Sequence, residues 1–135
     1  MLAKNNIFNI RATKSGAKWL GQVGATKGFV DFSNPDLCIR AWCKLMATYR
    51  FKYGIKTIGG IVKRFAPPSE NNTDSYIRFC CQRLAMQPTT KLTTVMDYAR
   101  LASAMAKMET GNDLAPNKVI EVIRDYKISM IKYDN

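Results

Sequence analysis

The sequence of 135 residues predicts a mainly helical α+β fold with a small β-hairpin near the N-terminus. Two short apolar runs separated by a glycine-containing segment come first, and five segments with helix start and stop signals follow. The hydrophobic fraction of 47% is ordinary for a globular protein. We therefore expect a single domain over residues 1–135, because this length can bury one core.

The predicted hairpin follows a polar opening segment, "KNNIFNIRA", that we expect to be an ordered loop. The two strands are predicted from Trp19 to Val23 and from Gly28 to Phe32. The "ATKG" segment between them is typical of a tight hairpin turn.

The five predicted helices begin at capping side chains or at a proline. These start signals stand at Ser33 or Asn34 (followed by Pro35), Thr57, Asn72 or Thr73, Thr93 or Thr94, and Pro116. Stop signals stand at Gly54, Pro67, Pro88 and Gly111. We expect the last helix to cover residues 116–131, and its apolar stripe favours packing on the core over docking on a partner.

The charge balance is 21 basic against 10 acidic side chains, a net charge of +11. Such a surface should attract a polyanion. Nucleic acid, an anionic cell-wall polymer and a lipid surface all fit this charge. No apolar run approaches the roughly 20 residues of a membrane span, and the N-terminus lacks the apolar region of a secretory signal.

The chain has four cysteines and no histidine. No CxxC pair is present, so we expect reduced and mostly buried thiols, with no metal and no cofactor. The lack of histidine excludes a Ser-His-Asp or Cys-His site, and it argues against a metallopeptidase. Acid-base chemistry therefore falls to the carboxylates, or to Lys, Tyr or Cys.

The fourth predicted helix carries one apolar face that ends in a carboxylate. That face contains Val95, Tyr98, Ala102, Met105 and Glu109 at spacings of three and four, with Leu101, Ala104 and Met108 alongside. Burial would raise the pKa of the Glu109 carboxyl, and a carboxyl that stays protonated can act as a general acid. The alternative is that Glu109 emerges from the core in the last helical turn and is solvated.

Two polar segments are candidate binding sites. The turn after two prolines contains Ser69, Glu70, Asn71, Asn72 and Thr73, and the opening segment contains Asn5, Asn6 and Asn9. Amides and hydroxyls hydrogen-bond N-acetyl and hydroxyl groups of sugars well. The alternatives are a plain helix start capped by Asn72 and ordinary turns at the three asparagines.

A basic segment interleaved with aromatic residues runs from the end of the first predicted helix through the second. It contains Arg50, Lys52, Lys56, Lys63 and Arg64, with Tyr49, Phe51 and Tyr53. This pattern could bind a nucleic-acid backbone. The alternative is a solvated helix end.

Several segments together resemble a family of phage-encoded, virion-associated lytic proteins, and they also resemble the lytic enzyme of enveloped double-stranded RNA phages. The resemblance covers residues 4–112 and rests on "NNIFNIR", "WLGQVG", "GFVDF" and "AMAKMETG". Its most specific part is "RFAPPSENNT". Members of this family are often labelled only as structural proteins.

The resemblance extends to the lysozyme-like superfamily, in which a helix ends in a catalytic glutamate, a small hydroxyl residue and a glycine. Glu109, Thr110 and Gly111 match that pattern. In cell-wall glucosaminidases an "NNxFxI"-type segment follows the glutamate helix, whereas here "NNIFNI" precedes it. The order implies a circularly permuted lysozyme-like fold.

The resemblance implies a muramidase or lytic transglycosylase that cleaves the β-1,4 bond between N-acetylmuramic acid and N-acetylglucosamine. Glu109 would be the general acid and then the base, with Glu70 as a second carboxylate or as a structural partner of Arg11. The implied substrate-binding residues are Asn5, Asn6, Asn9, Arg11, Asn71, Asn72, Tyr76 and Thr110. A transglycosylase would need only one acid.

The implied partner is a peptidoglycan strand, with other virion proteins as a second partner, no metal, and nucleic acid disfavoured. The protein would be made in the host cytoplasm without a signal peptide and act at the bacterial cell wall, or as a virion component. A non-catalytic virion or wall-binding module is the main alternative, and an endopeptidase is a further one.

Overall fold

Five helices follow a two-stranded antiparallel hairpin in the computed structural model, which describes residues 2–131. The strands are β1 (Gln22–Thr26) and β2 (Phe29–Phe32). The helices are α1 (Pro35–Tyr53), α2 (Ile58–Phe65), α3 (Thr73–Leu84), α4 (Val95–Thr110) and α5 (Pro116–Asp125). The predicted α+β, mainly helical class is confirmed.

The helix boundaries follow local capping bonds. The side chains of Asn34, Thr57 and Asn72 each accept a hydrogen bond from a backbone N–H in the first turn of α1, α2 and α3. Thr94 and Asp97 form a reciprocal capping box at the start of α4. The predicted starts are therefore confirmed, since each depends on residues three apart in the chain.

The first strand begins three residues later than predicted. The N–H of Gln22 donates to the carbonyl of Trp19 at 2.9 Å, so residues 19–22 form a tight turn instead of an extended strand. Gly21 makes this turn possible with a φ of 81°. The hairpin itself closes through Lys27 and Gly28, both left-handed, which is the geometry of a two-residue hairpin turn.

A substitution at Gly21 should be more costly than one at Gly16, although both have a φ of 81°. A Cβ at Gly21 would overlap the side chain of Leu37, whereas nothing lies within 4 Å of a Cβ at Gly16. We expect Gly21→Ala to lower the free energy of unfolding by about 2–5 kcal/mol, from backbone strain and overpacking together. Gly16→Ala should cost only the strain, about 1–2 kcal/mol. Urea unfolding measures both, and equal costs would contradict this account.

The last helix is shorter than the predicted range of 116–131. It ends at Asp125, and a left-handed Lys127 then reverses the chain. This reversal brings Ile128 and Met130 into the core, where both are buried, while Tyr126 is exposed. Residues 132–135 lie outside the described residues. The predicted packing of this segment on the core is confirmed.

The opening segment lies along β2 as an ordered loop with turns at residues 4–5 and 7–8. Backbone bonds join Phe32 to Lys4, Val30 to Ile10 and Ala12 to Gly28 at 2.8–3.0 Å. Phe8, fully buried, stacks on Trp42 of α1 with ring centroids 5.3 Å apart. The segment is therefore fixed both to the hairpin and to the helices.

Helix α4 lies at the centre of the core between α3 and α5. Tyr98, Ala102 and Met105 on its predicted face are fully buried. The placement of Met108 on the apolar surface is wrong, because its side chain is 38% exposed.

Within residues 2–131, no helix has both the length and the apolar character that crossing a membrane requires.

Three of the four cysteines are buried, as predicted, and Cys81 is half-buried. Burial raises the pKa of Cys38, Cys43 and Cys80 to about 12. The thiolate is the reactive form of cysteine, so these three side chains act as core residues.

Candidate active site

The carboxyl group of Glu109 is half-buried at the end of α4 and has two side-chain partners. The hydroxyl of Tyr76 donates to Oε2 at 2.9 Å, and Nδ2 of Asn9 donates to Oε1 at 3.2 Å. Tyr76 comes from α3, and Asn9 comes from the opening loop. Three segments that are distant in the sequence thus meet at this carboxyl.

Burial raises the pKa of the Glu109 carboxyl above its ordinary value of 4.5. The hydrogen bonds from Tyr76 and Asn9 and the positive charge of Arg11 act in the opposite direction and are smaller effects. Burial, together with the adjacent Glu109, also raises the pKa of Tyr76, so its hydroxyl remains a donor. Glu109 therefore keeps its proton to a higher pH than an exposed glutamate does.

Two bonds attach the opening loop to the last turn of α4. Nδ2 of Asn9 also donates to the backbone carbonyl of Glu109 at 3.0 Å. The hydroxyl of Thr110 lies 2.8 Å from the carbonyl oxygen of Ile7. The Asn9 bond satisfies one of the carbonyls that a helix C-terminus leaves unpaired. Asn9 itself has a φ of 55°, a conformation that asparagine tolerates well.

A pocket of about 190 Å³ adjoins this carboxyl through Asn9, which lines the pocket and bonds Glu109, whereas Glu109 itself is not among the lining residues. Its polar wall comes from the opening loop, and its apolar wall comes from the tight turn before β1, α1 and α2. The lining residues are Asn9, Ile10, Arg11, Thr13, Trp19, Leu45, Tyr49 and Phe65. An apolar and aromatic wall facing a few polar groups is typical of a small-molecule site.

Trp19, Leu45 and Phe65 were not predicted to lie at a site, and Tyr49 was predicted only as part of the basic segment interleaved with aromatic residues. Tyr49 and Leu45 are four residues apart on α1, so one helix face could have suggested them as a pair. Trp19 and Phe65 carry no local signal for this pocket, because their approach depends on how the hairpin and α2 pack.

Glu70 and Arg11 form an ion pair at 3.5 Å, with about half of each side chain exposed. The Arg11 guanidinium also lies over the ring of Phe29, 5.0 Å from its centroid. Of the two roles considered for Glu70, this geometry favours the structural one, in which Glu70 positions the opening loop through Arg11. Within residues 2–131, Glu70 is not a hydrogen-bond partner of Glu109.

The side chains of the remaining predicted site residues bond backbone groups of the fold. Asn6 is buried, which contradicts the substrate-binding role predicted for it. Its Nδ2 donates to the carbonyls of Ile10 and Val30, and its Oδ1 accepts from the N–H of Ile10. Asn5 donates to the carbonyl of Phe32. Asn71 donates to the carbonyl of Pro67, and Asn72 caps α3.

The fold and site define a small, basic, mainly helical α+β protein with a half-buried carboxyl beside an aromatic pocket. No protein-family model matches the chain. The chain is 36% identical over 115 residues to "Protein P5" of Pseudoalteromonas phage PM2, and the alignment covers 83% of this chain and 71% of that protein. The chain belongs to the phage protein family that includes Protein P5. The predicted phage affiliation is confirmed, and lytic activity stays a prediction.

Proposed function

We propose that the protein is a peptidoglycan glycosidase with a lysozyme-like fold, in which Glu109 is the general acid. The observation that carries this proposal is the half-buried Glu109 carboxyl, bonded to Tyr76 and Asn9 beside a pocket with an aromatic wall. Glycoside cleavage needs a carboxylic acid that keeps its proton until the leaving oxygen takes it.

In the proposed mechanism, protonated Glu109 transfers its proton to the glycosidic oxygen as the bond from that oxygen to the sugar carbon breaks. The hydroxyl of Tyr76 and the amide of Asn9 then stabilise the carboxylate that remains. That carboxylate next takes a proton from the attacking hydroxyl, which belongs either to water or to the substrate. The second route needs one acid only, and it suits a Glu70 that is paired with Arg11.

The charge of the protein suits this substrate, because peptidoglycan and its attached polymers are acidic. A net charge of +11 would concentrate the protein on the cell wall. A role as a virion component that opens the wall during entry or release would account for both the positive charge and the membership in a phage protein family.

A non-catalytic virion or wall-binding module is the second candidate function. The observation in its favour is that both carboxyl oxygens and the backbone carbonyl of Glu109 are bonded to protein groups. Such a glutamate could serve only to join the opening loop to α4. This module would bind the wall and release no soluble fragments.

The test is digestion of purified sacculi followed by mass spectrometry of the soluble products. We expect muropeptides cleaved at the glycan, with a reducing N-acetylmuramic acid end for a hydrolase or a 1,6-anhydro end for a transglycosylase. Products cleaved only in the peptide would contradict the proposal, and wall binding without products would favour the module.

Tyr76→Phe should shift the alkaline limit of activity to higher pH. The Tyr76 hydroxyl stabilises the ionised carboxylate, so its removal raises the pKa of Glu109 further and keeps the acid protonated. The measurement is the pH profile of sacculus clearing. Tyr98→Phe is the matched control, because the Tyr98 hydroxyl accepts from Arg50 and Tyr98 lies about 16 Å from Glu109 along α4. A shift in both variants, or in neither, would contradict this role.

A further inference from the structure

Every charged residue in the segment from residue 37 to residue 69 is basic. This segment contains seven basic side chains and no aspartate or glutamate, so it supplies seven of the net eleven positive charges. The segment comprises α1 from its first turn, the connection to α2, and α2 itself. The positive charge is therefore concentrated on one pair of helices.

Two of these cations lie over aromatic rings at the ends of the two helices. The guanidinium of Arg64 is 4.1 Å from the ring centroid of Tyr53 and 5.6 Å from that of Tyr49. The ammonium of Lys52 is 5.4 Å from the centroid of Tyr53. We call Tyr49, Lys52, Tyr53 and Arg64 the Arg64 strip. Cation–π contacts of this kind position the charges without neutralising them.

The charges of the strip are available to an outside anion. Lys52 and Arg64 are exposed, and within residues 2–131 neither forms an ion pair. Arg50 contrasts with them, because its guanidinium donates to the carbonyl of Leu92 and lies against the hydroxyl of Tyr98 inside the fold.

The strip is continuous with the candidate active site. Tyr49 belongs to the strip and also lines the pocket beside Glu109. Phe65, the residue after Arg64, lines the same pocket. The pocket of about 190 Å³ is small for an extended polymer, so a strand bound in it must continue over the protein surface. The strip borders the pocket, so it lies where such a strand could continue.

We propose that the Arg64 strip binds the carboxylates of an acidic glycan strand whose neighbouring unit occupies the pocket. The identity of that strand as peptidoglycan rests on the proposed function. A planar guanidinium positioned over a tyrosine ring presents paired N–H donors that suit a carboxylate. Arg64 and Lys52 both lie over the ring of Tyr53, so a nucleic-acid base would have to compete with these cations to stack on that ring.

The experiment measures binding of the Glu109→Gln protein to purified sacculi by cosedimentation at about 50 mM salt, where surface charges are weakly screened. Lys52→Gln with Arg64→Gln should weaken binding about tenfold. The matched control is Lys27→Gln with Lys127→Gln, which removes the same charge from two exposed lysines outside the strip. We expect the control pair to bind as the parent does, and circular dichroism verifies that every variant is folded.

Equal weakening in both pairs would overturn the proposal, because net charge alone would then explain binding. Unchanged binding in the strip pair would also overturn it. A third arm uses single-stranded oligothymidylate: loss of oligonucleotide binding with intact sacculus binding assigns the strip to nucleic acid and overturns the proposal. Sacculus binding is measured without catalysis, so the strip can be confirmed even if Glu109 proves not to be catalytic.

Discussion

Glu109→Gln should lower the rate of sacculus clearing by about 100-fold or more, because a positioned general acid contributes about 10²–10⁴ to a rate. Glutamine has the same shape and can still accept the hydrogen bond from Tyr76, but it has no proton to give to a glycosidic oxygen. The measurement is the initial rate of turbidity loss of purified sacculi near neutral pH. Clearing at the wild-type rate would remove Glu109 from the mechanism.

Glu70→Gln is the control for this experiment. It breaks an ion pair with Arg11 that is half-exposed, and such pairs contribute about 0–1 kcal/mol, so activity should stay within about fivefold of the wild type. A loss as large as that of Glu109→Gln would instead make Glu70 the second catalytic carboxylate.

The pH dependence of stability shows whether the Glu109→Gln variant loses activity because it unfolds or because it lacks the proton donor. Burial raises the pKa of Glu109 in the folded protein above 4.5, so the folded state binds this proton more tightly than the unfolded chain does. The stabilisation by this proton is complete below about 4.5 and is lost as pH rises through the folded pKa. The variant should therefore gain stability relative to the wild type as pH rises, measured by thermal unfolding across that range.

Phe8→Ala should lower the free energy of unfolding by about 3–5 kcal/mol, the usual cost of removing a fully buried phenylalanine. The lost ring leaves a cavity against Trp42, on which it stacks at an angle of 17° between the ring planes. This is a large part of the roughly 5–15 kcal/mol that stabilises a typical domain. Urea unfolding followed by circular dichroism gives the difference.

Phe8→Leu keeps most of the volume and should cost about 1.5 kcal/mol or less, and Leu2→Ala, at a side chain 78% exposed, should change stability by about 0.5 kcal/mol at most. The loop that contains Phe8 also contains Asn9. A folded Phe8→Ala protein should therefore lose activity, because the Asn9–Glu109 bond is lost when the loop is no longer anchored. A Phe8→Ala midpoint equal to that of the wild type would contradict the anchoring role of this ring.

The helices, and the place of Glu109 on one of them, could be read from the sequence because their signals are local. Asn34, Thr57, Asn72 and Thr94 each bond a backbone N–H about three residues away, so their function as caps needs no knowledge of the rest of the fold. Periodicity likewise places Glu109 at the end of the buried face of α4, since helical geometry alone determines which residues share a face.

Only the tertiary structure decides what surrounds Glu109. Tyr76 is 33 residues away in the chain and Asn9 is 100, and no local rule relates such positions. Asn6 and Asn9 belong to one short motif, yet the amide of Asn6 bonds Ile10 and Val30 whereas the amide of Asn9 reaches the carboxyl of Glu109. The residue type is the same in both cases, and the difference arises from the packing of the loop through Phe8 onto Trp42. Capping and periodicity act between near neighbours in the chain, whereas the site forms only when distant segments bury their apolar faces together.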